Sequence, residues 1–521
     1  MSRGEKLKKL AVLLLCFAAA ACQTAKTARG TGGFWIYAGH VATGTGVLAK
    51  QYVEITPDGA IGVISPVRPE NVRIVDGGRH ILTAGLINAH DHLSYDHNAP
   101  YFVKPDGRFN NRRDWGGGCR GYKRMPRRKT NRPEHLIMSE LRQVAAGTTG
   151  NIGNGGYKGF LRNFGDGSNE GLVLPYAVTD DTFPLKNNVG CNDMPASGDG
   201  YPFHPDNRPK TVYIVHVAEG KDAVARNEFV NIASGATDIL DDATGLVHAV
   251  ALLEKDVRKI AAAKATVVWS PRSNLTLYGV TAPVSLMRDY GIRLALGTDW
   301  VYSGSAHLLD ELKFAAAYNR DYLNGLFSYA DLWKMVTVNP AALLRASDQI
   351  GDVRTGMRAD LVLFETDGTD YADDESVYKA LVETEQPATA LVLRDGKVLY
   401  GDPALAGGIV TPDDGEILEV NGKKRFIAAK SETGYVMSRI LAANKRGLAE
   451  KQPRRPFSIR PSDMNNRLYP AAKPYSGKRT PDDPDGDGVG AEDIDPLYFN
   501  PVRPVDLTDN GGLQTPARRR K

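Results

Sequence analysis

The chain has 521 residues, 42% of them apolar and 24% charged, which is the balance of an ordinary soluble globular protein rather than a disordered or membrane-embedded one. This length exceeds one ordinary domain of about 100–200 residues and suits an α/β barrel of roughly 250 residues with accessory segments. The formal net charge is only +4, too small for this length to point to a nucleic-acid partner.

At the start of the chain, Arg3, Lys6, Lys8 and Lys9 precede the apolar run 11–21. That run is shorter than the roughly 20 residues that span a bilayer, and residues 1–22 read as an export signal. It ends in Ala19-Ala20-Ala21-Cys22, which resembles the bacterial lipobox, whose cysteine is lipidated and becomes the mature N-terminus. The resemblance implies an exported protein anchored through lipid at Cys22 in the bacterial envelope. Gln23 in place of aspartate points to the outer membrane, facing periplasm or surface; plain secretion is the alternative. Behind the signal only Cys119 and Cys191 remain besides Cys22, so one disulfide or two free thiols are expected.

Residues 23–84 contain a Gly/Thr/Ala linker, 24–33, and short β-type runs at 34–37, 52–55 and 60–64, set off by Gly, Pro and Asp. Similar runs return within 349–430, at 361–364, 390–393, 397–400 and 425–428, so a small β-sandwich built from both flanks would clasp the segment between them. That segment, 85–348, alternates strand candidates with helical runs, the pattern of βα units around a parallel sheet. The strands are 85–89, 148–152, 172–178, 212–217, 245–250, 266–269 and 292–296; the helices include 134–146, 222–233, 252–263 and 283–290. Seven strands are visible, and an eighth is sought in the Gly-rich stretch 153–170, at 160–164. The expected fold is α/β, a (β/α)8 barrel of the TIM type. Residues 431–521 are polar and Pro-rich and read as a poorly ordered tail. Within it, Asp483, Asp485 and Asp487 precede Gly488, alternating carboxylates that suit calcium. Ile494 departs from the EF-hand pattern, and a solvated acidic linker is the alternative.

His90 and His92 close the apolar run Ala84-Gly-Leu-Ile-Asn-Ala. Residues two apart on a strand share a face, so both imidazoles can face one point at its C-terminal end. His216 closes a second apolar run, 211–216, His248 a third, 246–248, and Asp299 a fourth, 294–299. Any one alone reads as a satisfied core residue or a helix cap. Random scatter accounts poorly for four of the ten histidines at apolar strand ends, the face on which barrel enzymes keep their sites.

Ala84-Gly-Leu-Ile-Asn-Ala-His90-Asp-His92 resembles the first barrel strand of the amidohydrolase superfamily. His216-Val-Ala-Glu219 is similar to its fifth-strand motif, His248 to its sixth-strand histidine, and Gly297-Thr-Asp299 to its eighth-strand aspartate. Val336-Thr-Val-Asn-Pro-Ala and Gly356-Met-Arg-Ala-Asp360-Leu-Val match the segment that leaves the barrel and re-enters the small sheet. The likeness covers roughly 33–430 and lies with the branch of cytosine, guanine and adenosylhomocysteine deaminases and triazine hydrolases. It implies one divalent transition metal, zinc foremost with iron as the other choice, held by His90, His92, His216 and Asp299. Two-metal members carry a carboxylated lysine on the fourth strand. Here strand 172–178 runs into Thr179-Asp180-Asp181, and a binuclear peptidase or lactonase would need Lys186, several residues on, turned inward.

The reaction implied is hydrolysis of a non-peptide carbon–nitrogen bond in a small molecule, with water attacking an sp² carbon. A zinc ion lowers the pKa of bound water from about 15.7 towards about 7. The resemblance assigns His248 and Asp299 to orienting and deprotonating that water, and Glu219 to passing a proton to the substrate nitrogen, a transfer worth roughly 10²–10⁴-fold. Where the deaminases carry His-Cys before a proline, this chain has Val268-Trp269-Ser270-Pro271-Arg272. Trp269 and Arg272 are therefore expected at the mouth of the seventh strand, binding a larger or anionic substrate; a packed Trp and a surface Arg are the bland alternatives. The stretch 104–132 holds eleven Lys or Arg against Asp106 and Asp114 and should overhang the site and attract anions. The rival for that stretch is an anionic membrane or polysaccharide, as in an inactive, calcium-dependent envelope-binding lipoprotein.

Overall fold

The computed structural model describes residues 32–101, 103, 107–153, 155–165, 171–182, 191, 211–234, 238–367 and 370–444, with short paired strands beyond at Phe457–Ile459, Val505–Leu507 and Leu513–Gln514. Cys22, Lys186, Asp483, Asp485 and Asp487 lie outside the described residues.

Eight parallel strands carry the site: β1 (Leu86–Asp91), β2 (Thr148–Gly153), β3 (Arg162–Phe164), β4 (Ala177–Thr182), β5 (Thr211–Val217), β6 (Thr244–His248), β7 (Thr266–Trp269) and β8 (Arg293–Leu296). They form a three-stranded sheet, β1-β2-β3, and a five-stranded sheet, β8-β7-β6-β5-β4. The sheets meet where Asp91 bridges Asp299, with His92 N donating to Asp299 O at 2.8 Å and Asp299 N to His90 O at 3.0 Å. Among the described residues no ladder joins β3 to β4, so the eight strands stand as two sheets rather than as one continuous ring. The eighth strand sought at 160–164 is β3. The fourth begins later than expected, at Ala177, because Pro175 has no N–H to give a ladder.

Side-chain alternation along these strands separates two cores. Ile87, Ile152, Phe164, Ile214, Val247 and Val268 share one buried cluster to which every one of the eight strands contributes. Val215, Leu246, Val267 and Leu296 pack instead with residues of the surrounding helices, among them Ile137 and Leu141 of Pro133–Ala145 and Val257 and Ile260 of Glu254–Ala263. Burying each such side chain contributes roughly 1.5–3 kcal/mol.

Both flanks join in one sheet of ten strands, larger than the small sandwich expected. Its seam is Leu361–Phe364 antiparallel to Ile81–Ala84, so the chain passes from this sheet into β1 after one residue. Several strands outrun their apolar stretches: Val47–Ile55 includes the exposed Lys50 and the half-buried Gln51, an edge that polar side chains can face. Arg162 of β3 is wholly buried and pairs with Asp360 and Asp395, each at 2.6 Å, fastening the parallel strands to the large sheet. Two helices are described at the start of the segment expected as a tail from 431. Helices Ala429–Thr433 and Met437–Ala443 are ordered, and Met437 and Ile440, three apart on one face, are buried. No helix among the described residues is long and apolar enough to cross a membrane.

Candidate active site

At the C-terminal ends of β1, β5, β6 and beyond β8, the predicted ligands converge. The Nε2 atoms of His92 and His216 are 3.3 Å apart, and Asp299 Oδ1 lies 3.5 Å from Nε2 of both His90 and His92. Ligand atoms of His90, His92 and His216 all fall within 4.8 Å of one another, as do those of His90, His248 and Asp299. Two ligands each about 2.0–2.2 Å from a shared ion stand at such separations. The ring nitrogens of His90 are buried and make no hydrogen bond, which leaves them to a cation. Burial pushes the His90 imidazolium down to about 4 and His216 well below its ordinary value, so both rings are neutral, as ligands must be. For Asp299, burial works against ionisation, but the adjoining imidazoles of His90, His248 and His92 hold its carboxyl below the usual range.

Backbone geometry serves this convergence. Val247 faces the inner cluster, so continued alternation would turn His248 towards the helices. Instead His248 takes a left-handed φ of 69°, as Asp299 does at 64°, conformations rare outside glycine and concentrated at functional sites. Both side chains line the cleft. Gly297 is needed because a Cβ there would stand 2.7 Å from His90 Cβ.

Glu219 is buried, with Oε1 3.8 Å from His248 Nε2 and accepting from the Tyr278 hydroxyl at 2.8 Å. Burial raises its carboxyl to about 7, with Asp299 and Glu228 adding to the rise and His248 and Arg112 opposing it. Trp115 Nε1 donates to Tyr278 Oη at 2.8 Å, and His248 Nδ1 lies 3.0 Å from Asn274 Oδ1. Ser273 Oγ donates to Asp299 Oδ2 at 2.5 Å.

His92, His216, Glu219, His248 and Asp299 line a cleft open to solvent. The structure separates the two residues expected to bind substrate from this cleft. Trp269 is fully buried on the helix-facing side of β7, its Nε1 donating to Thr281 Oγ1 at 2.7 Å. It packs there because Val268 takes the inner face and adjacent residues point oppositely. Arg272 is held in the first turn of helix Pro271–Tyr278, its Nε donating to Ser305 Oγ at 2.7 Å and its guanidinium over Phe314. The basic stretch does reach the cleft, through Arg127 and Trp115. Tyr95, Tyr278 and Trp300 escaped the sequence reading. Trp300 follows Asp299 directly, a usable signal; Tyr278 meets Glu219 across 59 positions, with no local pattern to mark it.

Residues 208–400 match the model of the amidohydrolase family. That matched segment is somewhat over a third of the chain. Beyond it, the 5-methylthioadenosine/S-adenosylhomocysteine deaminases of Thermoanaerobacter pseudethanolicus and Pyrococcus furiosus are each 30% identical over 165 and 191 residues, which are 31% and 36% of this chain. Those matches take in 38% and 42% of the relatives' own length, about two fifths. Among solved structures, an adenosine deaminase from Xanthomonas campestris with bound zinc superposes with a TM-score of 0.53 at 15% identity, over 80% of this chain and 98% of that one. A triazine hydrolase variant gives 0.54 at 17%, over 80% and 100%. At these identities the likeness to solved structures is one of fold. The matched segment spans β5 to β8 and with them His216, Glu219, His248 and Asp299, whereas β1 with His90 and His92 precedes it.

Proposed function

We propose that the protein is a metal-dependent hydrolase of non-peptide carbon–nitrogen bonds in small molecules. One zinc ion would be held by His90, His92, His216 and Asp299, at the mouth of eight strands that we read as a (β/α)8 barrel. The observation that carries the reading is the approach of His92 to His216 and of Asp299 to His90 and His92, beside a buried Glu219 that titrates near neutrality. The deaminases among the relatives support the bond type. When bound, a divalent cation lowers the pKa of a coordinated water towards about 7. His248, fixed by Asn274, and Asp299, fixed by Ser273, would orient a water molecule in the cleft and accept its proton. Glu219, raised to about 7, takes and gives a proton near neutral pH and so suits protonation of the leaving nitrogen. Glu219→Gln is expected to keep the metal and lose most ammonia or amine release, whereas His216→Ala loses the metal as well, because only a ligand is required for coordination. Metal analysis and turnover on an amine-releasing substrate measure this; parent-level activity in Glu219→Gln overturns the assignment.

We propose likewise that the protein is exported and carried on lipid at Cys22. A disulfide between Cys119 and Cys191, Cα atoms 5.3 Å apart, supports an oxidising compartment, and a diacyl group meets the need for more than one chain in stable anchoring. Cys22→Ser should leave the membrane fraction or retain its signal. Membrane partitioning of a correctly processed Cys22→Ser protein overturns the anchor.

A further inference from the structure

Besides the groups assigned to chemistry, the cleft is lined by Tyr95, Trp115, Trp300 and Arg127. The aromatic rings form one wall: Trp115 stands 5.1 Å and Tyr95 5.7 Å from Trp300 between ring centres. Trp300 in turn lies 6.1 Å from the His92 imidazole, so the wall extends to the proposed metal ligands. Rings placed this way favour a flat, delocalised partner, by offset stacking or edge contact. The exposed Arg127 carries its guanidinium 5.4 Å from the Trp115 ring centre and donates to Gly116 O at 3.0 Å.

Charge in this corner is unevenly paired. Arg112 is matched by Glu228, and Arg120 by Asp114 and Asp222. Inside the cleft, Asp299 is enclosed by imidazoles, and Glu219 by Tyr278 and His248. Arg127 makes no ion pair among the described residues; its hydrogen bond is to a backbone carbonyl and its guanidinium carbon lies over an indole. A guanidinium so placed keeps donors for a carboxylate or similar anion.

We infer that the cleft selects planar heterocycles carrying an anionic substituent, the ring held by Trp115 and Trp300 and the anion by Arg127. This names the substrate class for the hydrolase proposed above and rests on that reading for the chemistry, while recognition is measurable without turnover. The probes are 2-aminopyrimidine and 2-aminopyrimidine-5-carboxylate, titrated against the metal-loaded protein and followed through tryptophan fluorescence, with ammonia release assayed in parallel. The parent should bind the carboxylate more tightly than the neutral ring by roughly threefold or more, the scale of a partly exposed ion pair, and added salt should shrink that ratio. In Arg127→Gln the ratio should fall to about one, and Arg127→Lys should retain part of it, since the charge remains but the fork and the stacking are lost. Equal binding of the two probes by the parent, or an undiminished ratio in Arg127→Gln, overturns the inference. Preference for the carboxylate without ammonia release counts against the hydrolytic reading alone, and release without preference counts against the recognition proposed here.

Discussion

Tyr278 shows how much of a site can rest on one hydroxyl. It donates to Glu219 Oε1 and is itself held by Trp115, so it fixes the carboxylate that faces His248 without touching any proposed metal ligand. Tyr278→Phe removes one hydrogen bond to a charged group, worth roughly 1.5–3 kcal/mol. Turnover should therefore fall by about tenfold or more while metal content and fold stay as in the parent. Metal stoichiometry and kcat on one preparation check this, and loss of metal would show that Tyr278 supports the ligands instead. At this scale the sequence is legible where chemistry writes a local motif. His90 and His92 sit two apart at a strand end, and His216 and Glu219 follow another. It misleads at Trp269, where a departure from a familiar motif suggested a binding role although alternation along β7 buries the ring. Tyr278 carries no local mark, because its contact forms only when β5 and the helix after β7 come together.

Elements are legible for a different reason. β-branched runs announced β5 and β7 to within a residue because both faces of a parallel strand are buried and need apolar side chains throughout. Edges were harder to read, since Val47–Ile55 mixes Lys50 and Gln51 into a genuine strand. The helix Pro133–Ala145 adds a polar feature within its buried face, Glu140, fully enclosed and accepting from Tyr157 N, Leu161 N and Asn163 Nδ2. Burial raises its carboxyl to about 7 against an ordinary 4.5. A carboxyl with a raised folded-state pKa stabilises the fold fully below its unfolded value, and that contribution is lost as pH rises through about 7. The loss amounts to about 3 kcal/mol at most. Glu219 and Glu311, raised to about 7 chiefly by burial, act in the same sense. Glu140→Gln, which imitates the protonated carboxyl, should therefore gain in denaturant midpoint relative to the parent as pH rises from 5 to 8. Identical pH profiles for parent and variant would remove Glu140 as a cause.

For the whole molecule, two distant fasteners determine how the cleft is roofed and held. The Arg162 pairings tie the parallel strands to the ten-stranded sheet, while the Cys119–Cys191 bond ties the segment after β1 to the segment between β4 and β5, across a separation of 72 positions. Cys119 stands two residues beyond the helix Arg112–Gly117, which carries Trp115, and Trp115 both lines the cleft and holds Tyr278. Closing a loop of this size reduces the freedom of the unfolded chain by about 4 kcal/mol in the chain-entropy view. Reduction, or the double substitution Cys119→Ser with Cys191→Ser, should therefore lower the unfolding free energy by up to that amount. It should also loosen the aromatic wall without disturbing the histidines, which come from β1 and β5. The expected kinetic signature is a rise in KM larger than the fall in kcat, with metal content unchanged, because the wall serves binding and the ligands serve chemistry. If reduction instead releases the metal, the disulfide supports the centre itself, and the roof and the ligand set fold as one cooperative unit.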